Sequence, residues 1–468
     1  MMTHVDESIG LARLARLCET AHEAARRLGR PVLASLTDDL PEADPLAFYA
    51  AAASYDDRAL WFQPSAGFAL AAAGAVRTIT GDGPERFGAV RAVWRELLTD
   101  ALIEGAGGPC LLGGFAFDPE RPSEGQWQGF GDARFVLPRI MLSRSAARCR
   151  ITFNVLLQPE SNPLAASRAL IDEVERLLTG MTDRPAPVRP SDAIETAEVL
   201  PAADWQAIVA GASAAIRAGD LRKVVLAREI RLRSERAFDI DVALDRLAGA
   251  YPTCSVFAIS QGERTFLGAT PERLVRFADG ELRTACLAGS ERRGATAEED
   301  RQLGEALLLN AKNRAEHAVV VHALRESLAG ICDELIMPDA PELLSVSNVH
   351  HLYTPVTARP CAGVVLLDAV ERVHPTPAVG GHPRPEALAY IRAYERLDRG
   401  WYAAPVGWLG HDGAGEFAVA LRSALVTGTR ASLFAGCGIM GDSDEAREYT
   451  ESWLKFRPML AALGGAAR

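Results

Sequence analysis

The sequence predicts an α+β fold in which strands close in sequence pair antiparallel. Two observations carry this. Pairs of apolar runs are separated by single tight turns, too short for the crossover a parallel pair needs. Strand and helix patterns also fail to alternate regularly, as a doubly wound parallel sheet would require.

The elements follow in order. The first half opens with helical spacing over 8–28, then gives short apolar runs at 59–63, 111–117 and 134–142 that read as strands joined by Gly-rich turns. The stretch 184–201, RPAPVRPSDAIETAEVLP, is rich in proline and polar residues and predicts a linker between an N-terminal half, 1–183, and a C-terminal half, 202–468. Asp204 is placed to cap a helix ending near 218, where Gly219 and Asp220 stop it before a strand over 223–232. Two hairpins follow, 256–260 with 265–268 and 274–277 with 282–284, the second turning at Asp279-Gly280. One long helix is expected over 298–328, strands return at 406–409, 416–422 and 432–434, and a last helix covers 444–463.

Composition narrows the function classes. The net charge of −11 argues against nucleic acid as a partner, since phosphate binding needs a basic surface, so any anionic substrate must find a local positive site. The eight cysteines are scattered without metal-ligand spacing and read as reduced thiols of a cytoplasmic protein. No apolar run reaches the length of a membrane span, so no membrane partner is expected.

Of 50 basic residues only three are lysines, Lys223, Lys312 and Lys455. One explanation of the ratio is compositional drift toward arginine, with three lysines left where either cation would serve. A chemical explanation is that arginine cannot lose its proton near neutral pH whereas a buried lysine can, so a base cannot drift to arginine. Lys223 begins a strand face that continues through Val225 and Ala227, where burial would lower its pKa; the competing reading is a strand-end lysine whose head reaches water. Glu272 follows Pro271 in a stiff turn between two strands, where a partly dry pocket would raise its pKa and make it a proton donor. Turn glutamates more often simply pair, here with Arg273. Glu316 lies on the long helix with Asn313 and His317, and Glu448 and Glu451 on the last helix, an arrangement suited to a hard cation such as Mg²⁺. Solvated helix faces are the commoner origin of such spacing. Arg422 closes an apolar strand, and Gly436 and Gly438 offer bare backbone a substrate could approach.

Read in order, RKVVLAR, GATPERL, CLAGSERRG, KNRAEH, HHL, HPTPAVGG, DRGWYAAPVGW, VALRS, FAGCGIM and EYTESWLK resemble the motif series of the chorismate-utilising enzymes, which include isochorismate, salicylate, anthranilate and aminodeoxychorismate synthases. LLGGFAFD and FVLPRIML extend the resemblance into the first half. It implies one large unit of antiparallel sheets packed together with helices outside, acting as a monomer on chorismate. It further implies Lys223 as the base for water and Glu272 as the acid. Glu316, Glu448 and Glu451 would ligate Mg²⁺, and Arg422, Tyr402 and the backbone at Gly438 would hold a substrate carboxylate, with Gly289, Ser290, His351 and Ala378 in the pocket. Asn313 departs from the family's usual aspartate, which bears on metal affinity. The implied reaction is isochorismate synthesis, feeding menaquinone, siderophore or salicylate formation. Salicylate synthase is the competing member, set aside because relatives with lyase activity tend to carry threonine where this chain has Ala378. A catalytically inactive scaffold is the competing class.

Overall fold

A computed structural model describes residues 11–121, 125–146, 148–182, 194–345 and 349–465. Among them every strand pairing is antiparallel except the parallel contact of Val32–Leu40 with Leu102–Glu104. The predicted hairpins form where the sequence places them: Ser255–Gln261 pairs with Arg264–Thr270, and Arg273–Ala278 with Glu281–Arg292. Asp279 and Gly280 both take positive φ, 55° and 77°, the conformation a two-residue turn needs to match the strand twist.

The ladders run through both halves. Strand Asp57–Gln63 pairs with Ser255–Gln261, and Cys110–Phe115 with Pro405–Gly410. One core lies inside the folded sheet, where Trp61, Phe135, Phe257 and Phe417 meet. A second lies beneath helices Leu11–Leu28, Pro163–Thr182, Ile240–Ala250 and Glu445–Leu463. Alternation along Asp57–Gln63 sorts the two, with Trp61 facing the first core and Leu60 and Phe62 the second.

Four expectations change. The expected helix over 298–328 is two, Ala297–Leu309 and Ala311–Ala329, because Asn310 leaves helical geometry and its Oδ1 caps the second helix by accepting from the Asn313 N–H at 3.0 Å. Helix Ala202–Ala218 begins at Pro201, with Asp204 in its first turn rather than as the cap; Gly219, at φ 92°, ends it as expected. The strand expected to run to Arg422 stops as Gly415–Val419, and Arg422 sits beyond it at φ 49°. Residues 184–193 of the expected linker lie outside the described residues, but Ile194–Glu198 pairs with Lys223–Ser234. Glu198 there meets Arg228 at 2.6 Å, and the Arg228 guanidinium lies over the rings of Tyr449 and Trp453.

Candidate active site

A cavity of about 560 Å³ opens in the C-terminal half, and all twelve residues to which the resemblance gives a site role line it. Strand Lys223–Ser234 supplies Lys223 at its first residue. The side chain is 5% exposed and its Nζ donates to Glu316 Oε1 at 2.6 Å, so the lysine does not reach for water. The neighbouring strand Arg430–Ile439 places Gly438 opposite Val225. A Cβ at Gly438 would stand 3.0 Å from Lys223 Cε, so bare backbone here lets the lysine lie across the strand.

Glu272 is held by its backbone. Its N–H donates to Thr270 Oγ1 at 3.2 Å and its carbonyl accepts from the Val419 N–H at 3.0 Å, while Thr270 Oγ1 donates to the Val419 carbonyl at 2.6 Å. The side chain enters the cavity wall, and burial pushes its pKa up to about 7 despite the opposing charges of Lys223, Lys455 and Arg422. The expected pairing partner, Arg273, instead meets Glu416 at 3.1 Å.

Helix Ala311–Ala329 carries Glu316 into the cavity and turns His317 away. His317 is buried with Nδ1 against the Ala288 carbonyl at 3.1 Å and Nε2 against Thr354 Oγ1 at 2.8 Å, which fastens the helix to the sheet. Gly289 occupies a bulge between Leu287 and Ser290 at φ 80°, where a Cβ would lie 3.1 Å from Asn313 Cβ. Ser290 hydrogen-bonds His351 Nδ1 at 2.7 Å. Burial, then the charges of Arg422 and Lys455, push the His351 pKa down to about 4, so this imidazole is neutral.

The last helix, Glu445–Leu463, begins at the Asp444 cap and presents Glu448, Glu451 and Lys455. Ser443 donates to Glu448 Oε1 at 2.8 Å, and burial raises the Glu448 pKa. Burial also pushes Glu451 up, but Lys455 at 2.7 Å together with the charges of Arg422 and Lys223 outweighs it and the net shift is downward. Lys455 Nζ also donates to the Gly436 carbonyl at 2.8 Å. Lys312 pairs with Asp442, at 2.7 Å, rather than with a carboxylate of this cluster.

Oxygen and sulfur atoms of Glu448, Glu451 and Cys437 lie within 4.8 Å of one another. The carboxylates suit a hard cation. The thiol does not: burial pushes its pKa up to about 12, and its Sγ donates to the Glu448 carbonyl at 3.3 Å. Glu316 offers a third carboxylate from the other helix, held meanwhile by Lys223.

Tyr402 is buried and stacks on Phe434 at 5.3 Å. Ala378 adds an apolar wall. The Arg422 guanidinium makes no hydrogen bond or ion pair to any described residue, a free cation in a cavity of an acidic protein.

Sequence reasoning passed over one buried pair. Arg399 meets Glu395 at 2.7 Å, each 3% exposed, and donates to the carbonyls of Val225 and Val379. Glu395 accepts from the Ala227 N–H. The pair pins the strand carrying Lys223 to the turn carrying Ala378, and because both residues lie past the end of helix Arg384–Tyr394, no periodic pattern announced it.

The model of the family described as chorismate binding enzyme matches residues 19–464. The chain is 41% identical to the salicylate biosynthesis isochorismate synthase of Pseudomonas aeruginosa, over 97% of this chain and 98% of that one. It is 36% identical to isochorismate synthase MenF of Bacillus subtilis, over 95% and 96%. Among solved structures, the menaquinone-specific isochorismate synthase MenF of Escherichia coli superposes with a TM-score of 0.79 at 25% identity, covering 95% of this chain and 99% of that one. Anthranilate synthase component I of Streptococcus pneumoniae, at 22% identity and a TM-score of 0.69 over 84% and 92%, shares the fold.

Proposed function

The chain belongs to the chorismate-binding enzymes, and from that premise we propose that it is an isochorismate synthase working by water addition at C2 of chorismate with loss of the C4 hydroxyl. The observation that carries this reading is the pairing, in one cavity, of a buried lysine with a carboxyl whose pKa burial lifts to about 7. A water addition coupled to hydroxyl loss needs one group to take a proton and another to give one. Lys223 takes the proton from the attacking water. Glu272 gives one to the departing hydroxyl, which leaves as water.

Lys223 Nζ is turned onto Glu316 in this structure, so meeting the attacking water requires that contact to be released. Glu316, Glu448 and Glu451 would hold Mg²⁺, an assignment supported by their three carboxylates lining one cavity. When bound there, such a cation would supply a Lewis acid that offsets the charge building as the double bonds shift. Arg422, with Tyr402 and the bare backbone at Gly438, holds a substrate carboxylate. Gly289, Ser290 and neutral His351 bound another part of the ring site. Ala378 supplies no hydroxyl to orient a second, pyruvate-eliminating step, so the reaction ends at isochorismate.

Purified protein incubated with chorismate tests this. Isochorismate is expected without pyruvate, and its formation is lost on chelation and in Lys223→Arg. Stoichiometric pyruvate would move the assignment to a salicylate synthase, and unchanged chorismate to an inactive scaffold.

A further inference from the structure

Glu272, Leu287 and Ala378 line two cavities, the main one and a crevice of about 20 Å³ that shares this wall. The crevice is bounded by Leu274, Cys286, Val320 and Leu324 and reaches Ser327 and Arg384. Its volume accommodates one water molecule, which is stable only with two or more polar partners.

The hydroxyls in its wall differ in one respect. Thr284 donates to the Leu274 carbonyl at 2.6 Å and Ser327 to the Ala323 carbonyl at 2.8 Å. Thr376 Oγ1 is buried and has no hydrogen-bond partner among the described residues. A buried hydroxyl left without a partner is destabilising, and a water between Thr376 and the Glu272 carboxyl satisfies it. Thr376 and Glu272 are therefore two polar groups on one water-sized crevice, with one of the two also facing the substrate cavity.

We propose that Thr376 is a positioning residue for the acid: its hydroxyl holds a water in this crevice, and that water reloads Glu272 with a proton after each turnover. The proposal rests on the reading of Glu272 as acid. In each turnover Glu272 loses one proton to the departing hydroxyl and Lys223 gains one from the attacking water. Resetting the site returns one proton to Glu272 and removes one from Lys223, so the cycle is neutral overall. The main cavity holds product at the moment Glu272 is ionised, whereas the crevice is a second space that Glu272 also lines. The crevice water passes its proton to Glu272 and is itself recharged from solvent. A carboxyl poised near neutrality accepts that proton at ordinary pH.

Thr376→Val keeps the shape and removes the hydroxyl; Thr376→Ser keeps the hydroxyl. The valine variant is expected to lose about tenfold in kcat with KM within about twofold, and to regain rate when a small buffer acid is added; serine is expected to restore the wild-type rate. Wild-type kcat in Thr376→Val overturns the proposal, as does a loss that neither serine nor buffer acid repairs, which marks a packing role. Glu272→Gln run alongside separates the readings. Full activity there removes the acid assignment itself, while an inactive Glu272→Gln beside a wild-type Thr376→Val removes the relay alone.

Discussion

At the scale of single residues, the scarcity of lysine against arginine was the informative signal, and the structure gives each lysine a distinct partner. Lys455 reaches both Glu451 and the Gly436 carbonyl from one compact nitrogen, a geometry a planar guanidinium does not reproduce. Lys312, exposed and paired with exposed Asp442, shows no such constraint. Glu272 yields the sharpest expectation. It must be protonated to act, and its pKa of about 7 stands above the ordinary carboxyl value, so the competent form is complete at low pH and lost as pH rises through about 7. The alkaline limb of kcat/KM is expected to bend near that pH, falling about tenfold per further unit. A pH profile of chorismate turnover checks this. A profile flat from pH 6 to 9 would leave Glu272 without the role given it.

At the scale of elements, the break at Asn310 sets the start of the helix that carries Glu316. Helical spacing runs on through the break, so periodicity alone could not reveal it. The legible clue was a cap-type residue, Asn310, three positions before Asn313. Arg422 misled in the same way: the apolar run continues to it, but the strand ends at Val419 and the chain turns through a left-handed residue that no pattern announces. Asn310→Ala removes the cap and is expected to lower stability by about 1 kcal/mol and to reduce turnover by loosening the first turns before Glu316, while Asn310→Asp retains both. Thermal melts of the two variants beside their rates decide it. Equal melting temperatures would deny the cap its role.

At the scale of the whole molecule, the hairpins, the C-terminal strands and the membership of the cavity were readable because each depends on local spacing or short motifs. What was not readable is long-range: that Asp57–Gln63 pairs with Ser255–Gln261, that Cys110–Phe115 pairs with Pro405–Gly410, and that Arg399 and Glu395 brace the strand of Lys223. Such contacts join segments far apart in the chain, and no local pattern encodes the partner. The shared ladders also lead us to propose that 1–183 and 202–468 form one folding unit. A chain of 202–468 alone uncovers three strand edges, on Lys223–Ser234, Ser255–Gln261 and Pro405–Gly410, and the inner core, and is expected to aggregate on expression; a soluble, cooperatively melting fragment would contradict this. The central claim is that solvent supplies the new hydroxyl at C2 while the C4 hydroxyl departs. Turnover of chorismate in water enriched with oxygen-18, with mass spectrometry of the isochorismate formed at low conversion, tests it most directly. The account predicts one heavy oxygen, located at C2; product carrying only the substrate's own oxygen would mean that the hydroxyl migrates within the molecule, leaving Lys223 no water to activate.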